Sequence, residues 1–222
     1  MFPDRNHARV LGVKSMPRLV KALVVAAALA CVVVSGLLAW ERVFEDRFFP
    51  RRWGVVEEGR IYRSGQISGS IIRQVLAEHD IRVIVDMTSE DSSVPDQKAE
   101  EEAAAELGIE HLRFPTSGDG TGDLTYFADA VAVVVRCRRR NLPVLIHCAA
   151  GVKRTGTVIA FYLTLVKGCP GPEAHNRAIG RDRGDCQALV EFVNANMKEM
   201  ASLLVQRGVL TDVPDPLPVL GP

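Results

Sequence analysis

Residues 143–156 read PVLIHCAAGVKRTG. Pro143–His147 is a short apolar run that reads as a buried strand. Thr155–Lys167 (TGTVIAFYLTLVK) is apolar almost all round, which places a helix in the centre of the fold. A strand end joined to a helix start by a short loop leaves backbone N–H groups unpaired beside the positive end of the helix dipole. With Gly151 and the small Ala149 and Ala150, the loop can curl so that successive N–H groups converge. Ala149, Ala150, Gly151, Val152, Lys153 and Arg154 therefore form a candidate nest for a phosphate dianion. Arg154 adds a planar fork for two phosphate oxygens. Cys148 stands at the lip of the nest, where the same positive field favours a thiolate, the nucleophilic form of the side chain. Five residues separate Cys148 from Arg154, enough for the chain to wrap a tetrahedral anion once and return the guanidinium to the sulfur.

Outward from that loop the pattern alternates between strands and helices. Ile81–Met87 (IRVIVDM) reads as a strand, with Asp86 structural. Asp96 is placed to cap a helix over Gln97–Leu107 that Gly108 stops. Glu110–Phe114 reads as a strand closed by Pro115, and Thr116–Asp123 (TSGDGTGD) as a loop. Asp123 caps a helix running to Arg140, with Leu124, Phe127, Ala128, Val131, Val134 and Val135 at helical spacing. Arg136, Arg138, Arg139 and Arg140 close it and read as a solvated end offsetting the helix dipole, since no aromatics are interleaved for nucleic acid. Further helices are expected near Pro172–Ile179 and Gln187–Gln206. The tail Thr211–Pro222, with four prolines, reads as unstructured. The fold class is α/β: a central, mainly parallel sheet flanked by helices, in one domain over 53–206 followed by a Pro-rich tail over 207–222.

The chain has 222 residues, 47% of them hydrophobic and 24% charged, which excludes wholesale disorder. Lys+Arg and Asp+Glu are 27 each, so no net field draws nucleic acid. Five scattered cysteines do not make a disulfide scaffold; Cys169 and Cys186 flank a helix, and the sequence leaves open whether they pair. Arg183-Gly184-Asp185 matches an adhesion tripeptide by coincidence.

The N-terminal part is different. A basic tail over 1–21 (Arg9, Lys14, Arg18, Lys21) precedes Ala22–Trp40, 19 uncharged residues that read as a transmembrane helix of about 28 Å. A linker over 41–52 follows, in which Phe44, Phe48 and Phe49 alternate with Arg42, Arg47, Arg51 and Arg52, as at a membrane–water interface. A single-pass anchor is favoured over a cleaved signal peptide, because the run is long and ends in a poor cleavage site, and over a soluble helix. Basic residues balance on the two sides, so the side of the membrane on which the domain lies stays open.

His147-Cys148-x-x-Gly151-x-x-Arg154-Thr155-Gly156 resembles the signature loop of cysteine-dependent protein tyrosine and dual-specificity phosphatases. Ile61-Tyr62-Arg63-Ser64-Gly65-Gln66 looks like the start of the small, atypical dual-specificity domains, many of them bacterial. The resemblance covers roughly residues 53–206. It implies that Cys148 attacks phosphorus, that Arg154 and the backbone of 149–154 hold the phosphoryl group, and that Thr155 helps the sulfur leave. His147 is implied as a support of the loop, not as a base. The general acid is implied to be an aspartate in the loop before the preceding helix. Asp119, 29 positions before Cys148, is the stronger candidate, because Asp123 reads as a helix cap. No metal or cofactor is implied. The expected activity is phosphomonoester hydrolysis, on phosphoproteins, phospholipids or inositol phosphates. A phosphate-binding protein without turnover, and an arsenate- or sulfur-transfer enzyme with a similar loop, are the alternatives. Oligomeric state is not legible.

Overall fold

The computed structural model describes residues 17–39, 48–180 and 186–221 and divides the chain into two units, 1–44 and 45–222. The basic tail before residue 17, residues 40–47 of the aromatic and basic linker, and the Arg183-Gly184-Asp185 tripeptide lie outside the described residues. In the first unit, α1 spans Arg18–Ala39. Its segment Leu19–Gly36 has mean hydropathy 2.4 with none of it buried, so by length and composition it is able to cross a bilayer. The helix begins before Ala22 and includes Lys21, whose N–H bonds the Pro17 carbonyl.

The second unit is built on five strands, β1 (Gly54–Glu57), β2 (Ile61–Ser64), β3 (Val83–Asp86), β4 (Glu110–Arg113) and β5 (Val144–His147), in the order β1-β2-β5-β3-β4. β1 runs antiparallel to β2; every other pairing is parallel. The sheet is thus mainly parallel, as the alternating pattern predicts. Its helices are α2 (Ile72–Glu78), α3 (Pro95–Leu107), α4 (Leu124–Arg139), α5 (Lys153–Phe161), α6 (Gly171–Ala178), α7 (Gln187–Ala195) and α8 (Met197–Gln206).

Side chains alternate across each strand, and both faces are covered. Val83, Val85, Val144 and Ile146 point to the face packed by α4–α8. Ile84 and Leu145 point to the face packed by α2 and α3, against Ile72, Leu76, Ala103 and Ala104. This two-sided burial is why these strands read as unbroken apolar runs. α5 passes through the larger core, with Val158, Ile159, Ala160 and Phe161 fully buried. It continues as one turn of π-helix over Tyr162–Val166, where the Tyr162 hydroxyl donates to Glu57 (2.6 Å).

Four local expectations need correction. Asp96 does not cap its own helix: α3 opens with Pro95, and the Asp96 carboxylate accepts the Gly69 N–H (2.8 Å). The stop at Gly108 is as expected, with a left-handed φ of 66°. Helix α5 starts at Lys153, two residues before Thr155. The stretch Gln187–Gln206 is two helices, broken at Asn196, whose side chain turns back to donate to the Phe192 carbonyl (2.7 Å). The tail is irregular yet docked: Leu220 is buried and exchanges two hydrogen bonds with the Asn194 amide, and Leu217, Val209 and Leu210 pack on the core. Prolines removed regular secondary structure from the tail without removing its apolar anchors. Cys169 and Cys186 form no disulfide.

Candidate active site

Parallel strands end on the same side of a sheet, so the loops after β3, β4 and β5 gather there, the place where open α/β sheets bind ligands. Cys148 follows β5 directly and is almost fully buried, at 2% exposure. The Gly151 N–H donates to its sulfur (3.2 Å). Burial pushes the Cys148 thiol up, but the Thr155 hydroxyl and N–H, the Arg154 charge and the Gly151 N–H outweigh it, so the thiol ionises below its usual range. The Thr155 hydroxyl is buried and has no hydrogen-bond partner within the chain.

Arg154, in the first turn of α5, is held by a hydrogen bond from Nη1 to the Met87 carbonyl (3.1 Å), while its buried Nε has no protein partner. It lines an open cleft of about 570 Å³ together with Ala149, Gln66, Thr88, Glu90, Asp91 and Ser117. Gly151 has a left-handed φ of 69°, and a Cβ there would stand 2.4 Å from the Gly65 nitrogen and 2.5 Å from the Ser64 carbonyl. Only glycine lets the loop lie that close to the end of β2. Cys148 to Val152 thus form the turn between β5 and α5, and Lys153, Arg154 and Thr155 open that helix.

The two aspartates are placed differently. Asp123 caps α4, accepting from the Thr125 N–H (2.8 Å) and hydroxyl (2.7 Å). Asp119 is exposed and makes the same kind of turn with Thr121, at 3.0 and 2.7 Å. Hydrogen bonds from Thr121, with Lys153 nearby, hold its carboxyl below the usual range. Its loop is moored to α5 by Thr157, whose hydroxyl donates to the Gly120 carbonyl (2.8 Å). The described conformation therefore keeps the Asp119 carboxylate on its own turn, and the cleft is lined by its neighbours Thr116, Ser117 and Gly118.

Sequence reasoning missed the residues that brace the loop from behind. Arg63, buried in β2, donates to the Gly151 carbonyl (3.0 Å) and the Ala178 carbonyl (2.6 Å). Arg52 donates to the Ala150 carbonyl (2.9 Å), and the Gln66 N–H to the Ala149 carbonyl (3.1 Å). A cation inside an otherwise buried strand was the available signal for Arg63. Glu100 of α3 is fully buried, with Oε1 2.9 Å from His147 Nε2 and 3.1 Å from His111 Nε2. No local pattern marks Glu100, because its partners come from β4 and β5.

Asp86, Glu100, His111 and His147 bring donor atoms within 4.8 Å of one another, which among the described residues is a possible cation site. Asp86 is already committed to Arg113 Nε (2.8 Å) and to the Thr88 N–H (2.8 Å) and hydroxyl (2.9 Å). His147 Nε2 lies 2.9 Å from Glu100 Oε1, an ion-pair distance without the alignment of a hydrogen bond. The four side chains read as an ion-pair network.

Residues 64–168 match the family model Tc-R-P, described as a polymorphic toxin system DSP-PTPase phosphatase. Over these residues, just under half of its length, the chain is similar to dual-specificity and tyrosine phosphatases. It is 46% identical over 56 residues to the dual specificity protein phosphatase OPG106 of Vaccinia virus (strain Western Reserve), covering 25% of this chain and 33% of the relative. The chain therefore spans about a third of the length of the curated relatives it matches. Its fold is similar to P. aeruginosa TpbA, with TM-score 0.54 and 20% identity over 70% of this chain and 96% of TpbA. It is also similar to the catalytic domain of the PP-IP phosphatase Siw14 from S. cerevisiae, with TM-score 0.57 and 18% identity over 77% of this chain and 98% of that one. A family likeness of this kind accords with the fold and signature loop expected from sequence.

Proposed function

We propose that this chain is a metal-independent phosphomonoester hydrolase working through a phosphocysteine, tethered to a membrane by its apolar helix. The observation that carries the reading is a buried sulfur that accepts the Gly151 N–H and feels the charge of Arg154, an arginine that lines the adjoining cleft and whose buried Nε is unpartnered. Cys148 attacks phosphorus; an S–P bond forms, and the ester O–P bond breaks. The departing oxygen takes a proton from Asp119, once the loop frees that carboxyl from Thr121. Water then attacks the phosphocysteine and gives a proton to Asp119, and the S–P bond breaks to return the thiolate. Arg154 and the N–H groups of 149–154 hold the equatorial oxygens throughout.

Substrates are monoesters whose phosphate reaches the loop floor: phosphotyrosine, phosphoserine or phosphothreonine in proteins, or phosphates on lipids and inositols. The names of the relatives span protein and inositol phosphate phosphatases, which supports this range.

Cys148→Ser is expected to lower aryl phosphate turnover by on the order of 10⁴-fold or more while substrate is still bound. Normal turnover by the serine variant sinks the mechanism. The tether is tested on the full chain expressed with its helix: it should resist alkaline carbonate extraction from membranes and keep its full mass. Release into the soluble fraction, or loss of the first 40 or so residues at about 1.5 Å of helix each, points to a cleaved signal instead.

A further inference from the structure

We propose that Glu100 is a positioning residue for the nucleophile: from the helix behind the phosphate loop, its carboxylate holds the His147 ring as an imidazolium against Cys148 and so keeps the sulfur ionised. The inference rests on the phosphatase reading of the loop and adds a residue that touches neither substrate nor sulfur.

The geometry is specific. Glu100 is fully buried in α3, where its neighbours Ala103 and Ala104 serve the apolar core. An unpaired carboxylate there costs several kcal/mol, so its burial demands partners. Two of its three partners lead to the loop. Oε1 faces His147, the residue before the nucleophile, at 2.9 Å, and His111 of β4 at 3.1 Å. Oε2 accepts from the Gln66 amide (3.1 Å), and the Gln66 N–H bonds the Ala149 carbonyl.

The groups facing His147 come from every side: Glu100 from α3, Asp86 from β3 at 3.7 Å, His111 from β4 within 4.8 Å and sharing the same Glu100 oxygen, and Cys148 from its own loop. Arg113 of β4 neutralises Asp86, with Nε 2.8 Å from it, which leaves Glu100 as the principal counter-charge of the ring. Burial alone would favour a neutral imidazole and a neutral carboxyl. Opposite charge reverses both: Glu100, with Asp86, raises His147 to about 9, and His147, with His111, lowers Glu100 to about 2. The imidazolium adjoins the thiolate, so the charge reaches the sulfur through one residue.

The test uses the full chain in detergent, with Glu100→Gln. Alkylation of Cys148 by iodoacetamide is followed by peptide mass spectrometry between pH 5 and 9, alongside kcat/KM on an aryl phosphate. The acid limb of both profiles should move up by roughly one pH unit, so that alkylation at pH 6 slows about tenfold while that at pH 9 is unchanged. Equal slowing at every pH, or no change, overturns the proposal and leaves Glu100 a packing residue. If the variant does not fold, ¹⁵N NMR of the wild-type His147 ring decides. An imidazolium at pH 7.5 supports the proposal, and a neutral tautomer overturns it. Stoichiometric zinc or iron in the purified chain, held by Glu100, His111 and His147, overturns it as well. A wild-type chain without any phosphatase activity sinks the enzyme reading alone, because the alkylation and NMR readouts need no turnover.

Discussion

Asp119 and Asp123 lie four positions apart, make the same turn with the threonine two residues on, and carry different consequences. Both carboxyls are held below the usual range by that threonine, so neither donates a proton readily from its own turn. Asp123 is fixed at the start of α4, whereas Asp119 sits between two glycines and belongs to a loop that borders the cleft. Asp119→Asn is expected to lower kcat by about 10²-fold or more on alkyl phosphates, and by less on aryl phosphates with good leaving groups. Asp123→Asn should keep kcat within a few-fold, and Asp123→Ala should lower the urea unfolding midpoint. A reversed pattern would assign the acid to Asp123.

At the scale of elements, β2 does more than pair strands. Its Arg63 ties the phosphate loop at Gly151 to the end of α6 at Ala178. Arg63→Met keeps the length and loses the donors, leaving buried carbonyls unpaired. A loss of about 2–4 kcal/mol is expected, with a higher KM for aryl phosphate, since the loop then holds its curl less firmly. Unchanged KM and unfolding midpoint would show the tether to be dispensable.

Elements whose own residues set them were legible in the sequence. β3 and β5 are apolar runs buried on both faces; α4 has its cap and periodic stripe; Gly108 ends α3. The signature loop was legible because its N–H groups, cysteine and arginine are neighbours in the chain. β1 and β2 passed unread as strands, because each has four residues and mixes charge with apolar groups around a bulge. The break at Asn196 and the bracing by Arg63, Glu100 and Gln66 escaped as well. Each depends on contacts far apart in sequence, which local spacing does not record.

For the molecule as a whole, the buried His147–Glu100 pair sets a pH window. Glu100 titrates below its ordinary 4.5, near about 2, so its contribution is complete above 4.5 and is lost as pH falls towards about 2. His147 titrates above its ordinary 6.5, near about 9, so its contribution is complete below 6.5 and is lost as pH rises towards about 9. The unfolding midpoint is therefore expected to be highest between these limits and to fall on both sides, most visibly on the alkaline side as it passes pH 9. A midpoint that keeps rising from pH 6.5 to 9.5 contradicts a charged histidine in the folded state. The docked tail bears on how the protein is handled. Val219 crosses the first turn of α6 so closely that a Cβ on Gly171 would stand 2.2 Å from its carbonyl, and Leu220 is clamped by Asn194. Reporter fusions and affinity handles therefore belong beyond Pro222 on a flexible spacer, and an expression fragment trimmed at the last helix would bare a greasy seam and precipitate.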